Sequence, residues 1–215
     1  MGPVTIRKYM LQDRSRVRQI AWDTAFIGRP ASAFFEDQEV LEDFLTFYFT
    51  DHEPEACFVA VSGSEIIGYL LGCLDSGRLD RVSAVSIFPS FFIKMIARNT
   101  FLRLKNIRCG WHMLISFLRK ELQAPDFSRL YPATMHINIR EGFRSAGAGS
   151  ALMAAYLAYL KEHHIPGVRL ATYSPAAGAF FRKNGFTLLF KKQRTYFRYI
   201  LGSELNVYIY AQKLQ

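Results

Sequence analysis

The stretch Arg144-Ser145-Ala146-Gly147-Ala148-Gly149 decides how this chain is read. An alternating apolar run, Met135, Ile137 and Ile139, leads into it. A helical pattern of Leu152, Ala155, Tyr156, Tyr159 and Leu160 leads out. Alternation marks a strand, and apolar residues three and four apart mark a helix. A small-residue loop between the two leaves the first N–H groups of the helix unpaired at the positive end of its dipole, a ready place for phosphate. A tight strand-to-helix turn with no ligand would have the same composition.

The bulk numbers narrow the field. The 215 residues are enough for one substantial core and cramped for two, so residues 1–215 read as one domain. Half the residues are apolar and 15% aromatic, which excludes a disordered chain. No apolar run reaches the roughly 20 residues of a membrane span. The first residues show neither a signal-peptide apolar region nor a myristoylation pattern. Cys57, Cys73 and Cys109 are not spaced as metal ligands, so no metal site is expected. Reduced thiols acting as core filler in a cytoplasmic protein are the expectation. The net charge of +9 is uneven: residues 77–130 hold ten Lys/Arg against three Asp/Glu, a local excess of +7. Such a patch attracts nucleic acid, an anionic membrane, or an anionic cofactor or substrate.

Periodicity predicts strands at 4–9, 57–61, 66–74, 133–140, 168–173, 186–190 and 205–212. It predicts helices at 12–26, with Asp13 as its N-cap, and at 37–50, 147–164 and 175–183. Ser62-Gly63-Ser64-Glu65 reads as a hairpin turn. Residues 77–130 form a basic amphipathic insertion. Its 86–120 part is divided into two or three helices by Pro89, Asn99 and Gly110. The favoured reading is a helical layer packing its aromatics on the domain. The sharper one is a lid over an acyl or lipid-like substrate, or membrane-surface contact through 86–120. The clustered aromatics argue against nucleic acid.

Two linked segments carry a resemblance. The first is His136-Ile137-Asn138-Ile139 running into Arg144–Ser150. The second is Ser174-Pro175-Ala176-Ala177 running into Phe181-Arg182-Lys183-Asn184-Gly185-Phe186. Together they resemble the GCN5-related N-acetyltransferase (GNAT) family, whose hallmark is Arg/Gln-x-x-Gly-x-Gly/Ala followed by Asn-x-x-Ala and Tyr-x-Lys-x-Gly-Phe. The first strand, paired helices and a hairpin ending in Gly68-Tyr69-Leu70-Leu71-Gly72 stand in family order. A weaker similarity, through Phe34-Phe35-Glu36-Asp37-Gln38-Glu39-Val40 and His136–Ile139, points to a bacterial subset related to the acetyltransferase-like domain of O-GlcNAcases.

The resemblance implies an α/β (α+β) GNAT fold: a mixed central sheet of about six or seven strands, the fourth and fifth splayed, with flanking helices and the helical insertion between the third and fourth strands. It implies an acetyl-CoA-dependent N-acetyltransferase in which the amine of a small molecule or peptide attacks the thioester directly, in a monomer or homodimer. The alternative is a non-catalytic GNAT-fold module that binds CoA or a protein partner. Ser145, Ala146, Gly147, Ala148, Gly149 and Ser150 would hold the pyrophosphate with Arg144 at the loop's start. Ile137, Asn138 and Ile139 would pair their main chain with the pantetheine arm. Ser174 stands at the family's Asn position. Phe181 replaces the Tyr that usually protonates the leaving thiolate, and Ala133 and Met135 stand where some members carry a base. His136 falls on the other face of an alternating strand and reads as a core histidine. The remaining catalytic candidates are Tyr173 and Asp75, at the ends of their strands. Glu36 and Asp37 are candidates for orienting a cationic amine.

Overall fold

The computed structural model describes residues 3–144 and 147–214. Its strands are β1 (Val4–Lys8), β2 (Phe58–Ser62), β3 (Glu65–Cys73), β4 (Ala133–Ile139), β5 (Gly167–Thr172), β6 (Thr187–Arg194) and β7 (Leu205–Lys213). Its helices are α1 (Arg14–Thr24), α2 (Gln38–Phe47), α3 (Ser76–Val82), α4 (Phe88–Ala97), α5 (Leu104–Leu118), α6 (Ala148–Glu162), α7 (Pro175–Lys183) and α8 (Arg198–Leu201). The seven strands form one mixed sheet in the order β1-β2-β3-β4-β5-β7-β6. Its one parallel pair is β4 with β5.

Each face of the sheet carries its own core, as alternation requires when both faces are covered. On one face α6 buries Leu152, Met153, Tyr156 and Leu160 against Leu70, Met135 and Leu170. Tyr156 crosses β3 at Gly72, where a Cβ would lie 2.2 Å from the ring, so only glycine admits the helix this closely. Its hydroxyl lies 2.9 Å from both the Cys73 and Thr134 carbonyls, which ties α6 to the junction of β3 and β4. On the other face α1 buries Val17, Ile20 and Ala21 with Tyr48, Tyr69 and Leu71.

Three local expectations fail for physical reasons. Asp13 does not cap α1. It takes the Arg7 guanidinium at 2.6 and 2.8 Å and the Met10 N–H at 2.8 Å, and these bonds hold its carboxyl below the usual range even though burial opposes them. Gly110 does not break the insertion. It sits inside α5 with nothing near its Cβ position, and the helix tolerates its cost of about 1 kcal/mol. The aromatics of 86–120 do not all pack down. Phe91 and Met95 reach the cluster around α2, but Phe92, Trp111 and Phe117 are exposed.

Candidate functional site

β4 pairs with β3 from Thr134–Cys73 to Ile139–Gly68. Against β5 it pairs only at Ala133–Val168 and Thr134–Arg169. Beyond those two rungs the parallel strands part, so the β5-facing edge of residues 135–139 has no strand partner. An extended chain can add to such an edge through main-chain hydrogen bonds. Ile137 and Ile139 pack their side chains toward the α6 core while their main chain borders this opening. Asn138 faces the other way and donates to the Tyr69 hydroxyl at 2.7 Å, which fixes β4 against the buried ring.

Helix α6 begins shortly after β4 ends. Gly147 has φ +75° and stands at the N-cap of α6. Among the described residues a Cβ there would meet nothing within 4 Å, so the backbone conformation, not crowding, requires glycine. Ala151 donates to the Gly147 carbonyl at 3.1 Å, so the N–H groups of Ala148, Gly149 and Ser150 have no partner within the helix. Arg144 donates to the Gly28 carbonyl at 3.0 Å and to the Ile139 carbonyl at 3.3 Å. It thereby fastens the turn after α1 to the end of β4. Among the described residues no carboxylate pairs with it, so its charge remains beside the loop. Ser145 and Ala146 lie outside the described residues.

The second motif divides. Ser174 caps α7, accepting the Ala177 N–H at 3.3 Å. Phe181 does not face the opening. It is 4% exposed and packs on Phe186 and Tyr210 in the α6 core. Phe180, one residue earlier, lies over the first turn of α6, its ring 3.2 Å from where a Gly149 Cβ would stand.

The other candidates scatter. Tyr173 follows β5 at the open end, where its hydroxyl receives a hydrogen bond from Tyr196 at 2.6 Å. Burial and the neighbouring Tyr173 push the Tyr196 hydroxyl up, so it stays a donor. Asp75 stands at the paired end of the strands, where it caps α3 by accepting the Gly77 N–H and the next residue, Ser76, donates to the Pro132 carbonyl. Glu36 and Asp37 line a cleft of about 470 Å³ with Glu39, Glu42, Arg98 and Arg103. Asp37 already pairs with Arg98 at 2.6 Å and caps α2, and Glu36 lies 3.9 Å from both Arg103 and Lys105. These carboxylates have cationic partners within the chain.

The sequence reading misassigns one group and misses another. His136 shares its face with Asn138, its ring 5.4 Å from Phe49, and its side chain is exposed where β5 has parted from β4. The walls around the ring disfavour its charged form and lower its pKa from the ordinary value, a shift tempered by the solvent that the exposed side of the ring meets. The expectation of a core histidine is corrected: alternation places it on the face opposite α6, and the departure of β5 uncovers it. The second group is an aromatic wall. Phe26 and Phe34 each lie 5.0 Å from Phe197, Phe197 lies 4.6 Å from Tyr196, and Tyr196 reaches Tyr173. The wall joins the turn after α1 to the connection between β6 and β7. Its sequence signal is the aromatic run Tyr196-Phe197-Arg198-Tyr199 between two strands. The cysteines offer no nucleophile, because burial pushes Cys57 and Cys73 up to about 12 and Cys109 up to about 11.

This architecture is that of solved acetyltransferase structures. The chain aligns over its full length with the whole of SsHAT, at 21% identity and a TM-score of 0.70. A Drosophila melanogaster polyamine N-acetyltransferase, described as forming N-acetylagmatine, matches at 14% identity and 0.60, covering 98% of this chain and 99% of that one. A GNAT superfamily phosphinothricin acetyltransferase from Sinorhizobium meliloti, solved with acetyl-CoA, matches at 14% and 0.58, covering 98% and 88%. The chain has the GNAT fold. No family model matches its sequence, and no curated protein does either.

Proposed function

We propose that the chain belongs to the GNAT family and transfers acetyl from acetyl-CoA to the amine of a small molecule or peptide. The observation that carries this reading is the opening between β4 and β5, which leads to the free N–H groups of α6. One part suits an amide-bearing arm and the other a pyrophosphate. The main chain of Ile137, Asn138 and Ile139 would pair with the arm. Ala148, Gly149 and Ser150 would donate to the phosphates, with Ser145 and Ala146 completing the loop and Arg144 and the helix dipole supplying positive potential. The cradle fits such a group, because α6 opens at the positive-φ Gly147 with first-turn N–H groups that have no partner within the helix, and the strand edge is unpaired.

Bound acetyl-CoA supplies the electrophilic thioester carbonyl. Holding that carbonyl and an amine together supplies much of the rate through proximity. Neutral His136 accepts a proton from the incoming ammonium. Tyr173, its oxygen already accepting the Tyr196 proton, keeps its own O–H free for the departing thiolate, and accepting a hydrogen bond strengthens it as a donor. It would take the place of the family's Tyr, where this chain has buried Phe181. The aromatic wall would hold the apolar part of the acceptor. Polyamine and agmatine acetyltransferases among the structural matches favour a small-amine acceptor.

Thermal melting with and without millimolar acetyl-CoA tests the reading. A raised Tm that Gly147→Glu abolishes is the expected result, and no shift in the wild type overturns it. A non-catalytic module is the second reading, favoured by the burial of Phe181. A Tm shift without thioester turnover across a panel of amines would establish it.

A further inference from the structure

We propose that the outward face of α4 and α5 docks on an anionic lipid surface. α5 is built inside out. Its buried residues are Asn106 and Ser116. Asn106 accepts the Glu36 N–H at 2.7 Å and donates to the Glu36 and Thr100 carbonyls at 2.8 Å, while Ser116 donates to Glu121 at 2.6 Å. His112, on the same inward side, stacks on Tyr199 at 4.3 Å. The helix is thus held to the protein through polar groups. Its opposite side presents Leu104, Ile107, Trp111, Leu114 and Leu118 at spacings of three and four, a continuous stripe. Trp111 is 60% exposed and Leu104 79%.

Phe101, in the turn before α5, and Ile96 and Phe92, on α4, are exposed as well. Among the described residues, fifteen of the nineteen exposed large apolar side chains lie between Val85 and Leu122. A soluble monomer rarely leaves so much contiguous apolar surface in water.

Charge selects the occupant. No Asp or Glu occurs from Arg81 through Lys120, while eight Lys and Arg do. Lys94 and Arg98 turn inward to carboxylates beside and on α2. Arg103, Arg108, Arg119 and Lys120 are exposed beside the stripe, with Arg103 3.9 Å from Glu36, Arg119 4.0 Å from Glu121 and Arg108 over the Tyr199 ring, and the cations outnumber these carboxylates. A second copy docked on this face would set cations against cations, and α4 and α5 themselves carry no acidic residue to relieve them. Nucleic acid would match the cations and leave the leucines and phenylalanines without partners. An anionic bilayer matches both: the apolar stripe enters the acyl boundary, the cations meet headgroup phosphates, and Trp111 sits at the depth that tryptophan favours.

The test is cosedimentation of the full chain with vesicles of phosphatidylcholine, with and without phosphatidylglycerol, read together with tryptophan emission. Binding to the anionic vesicles, a blue shift of emission and at least a tenfold loss of affinity between low salt and about 0.5 M salt are expected. Leu114→Glu, which leaves Trp111 as reporter, should abolish binding at unchanged Tm. Equal binding to pure phosphatidylcholine vesicles overturns the anionic assignment, and no binding at low salt overturns the proposal. A stable dimer that Leu114→Glu converts to monomer overturns it in favour of a second copy. None of these readouts involves acetyl-CoA.

Discussion

α5 and α6 are both fifteen residues long, and their apolar residues recur at helical spacing, yet they face opposite ways. α6 turns Leu152, Met153 and Tyr156 into the sheet, while α5 turns Asn106 and Ser116 inward and leaves Trp111 and Leu114 in solvent. Periodicity shows that a helix has two faces. Which face meets the protein depends on what the partner surface offers. Under α6 lies an apolar sheet face with Gly72 cleared for Tyr156. Under α5 lie the Glu36 backbone and the Tyr199 ring, which ask for a carboxamide and an imidazole.

The sharpest way to break this contrast is a matched pair of leucine truncations. Leu152→Ala empties a fully buried site and should destabilise the protein by about 3 kcal/mol. Leu114→Ala, at a site 48% exposed, should change stability by less than about 0.5 kcal/mol. Denaturant melts of the two variants give the comparison directly. Equal losses would mean that the α5 stripe is buried in solution.

The same contrast explains what was legible in the sequence. The strands, the mixed order and the strand-to-helix loop could be read because their residues interact with near neighbours or obey a strict period. Gly63 at φ +62° makes the hairpin turn that Ser62-Gly63-Ser64-Glu65 announced. The candidate site was only half legible. The loop at Gly147 is local, and its chemistry shows in composition. Tyr173 came from strand position, whereas its partner Tyr196 lies in the connection beyond β6 and no spacing links them. His136 was misplaced for a related reason. Alternation gives the face of a strand but cannot tell where the neighbouring strand departs and uncovers it. Phe181 lines up with a family motif, yet the observed rotation of α7 sets it in the core and Phe180 over α6.

A smaller effect sharpens the inward side of α5. Asn106 is 4% exposed and spends both ends of its carboxamide on backbone groups. Asn106→Ala leaves the Glu36 N–H unsatisfied and should cost about 1–2 kcal/mol. Asn106→Leu, though it restores apolar volume, should cost at least as much, because the groups it faces are polar. If leucine instead stabilises the protein, α5 is not held through its polar side, and the inside-out description fails.

The smallest expected displacement is in pH, and it concerns the opening. His136 is neutral in the fold at a pH where an unperturbed imidazole would be partly protonated, because desolvation disfavours its charged form. A group with a lowered pKa is available as a base once pH exceeds that lowered value. The acid limb of kcat/KM against pH should therefore lie below 6.5 and be flat at neutrality, where activity no longer depends on this proton. His136→Gln keeps a polar side chain of similar reach without a titrating nitrogen, so it should remove the limb while the acetyl-CoA-dependent Tm shift persists. A limb at or above 6.5, or one that survives in the glutamine variant, assigns proton acceptance to another group. The separation of readouts matters, because Gly147 and the strand edge account for cofactor binding and His136 only for the proton transfer that binding makes possible. Loss of both in His136→Gln would mean that the ring supports the strand edge rather than the reaction.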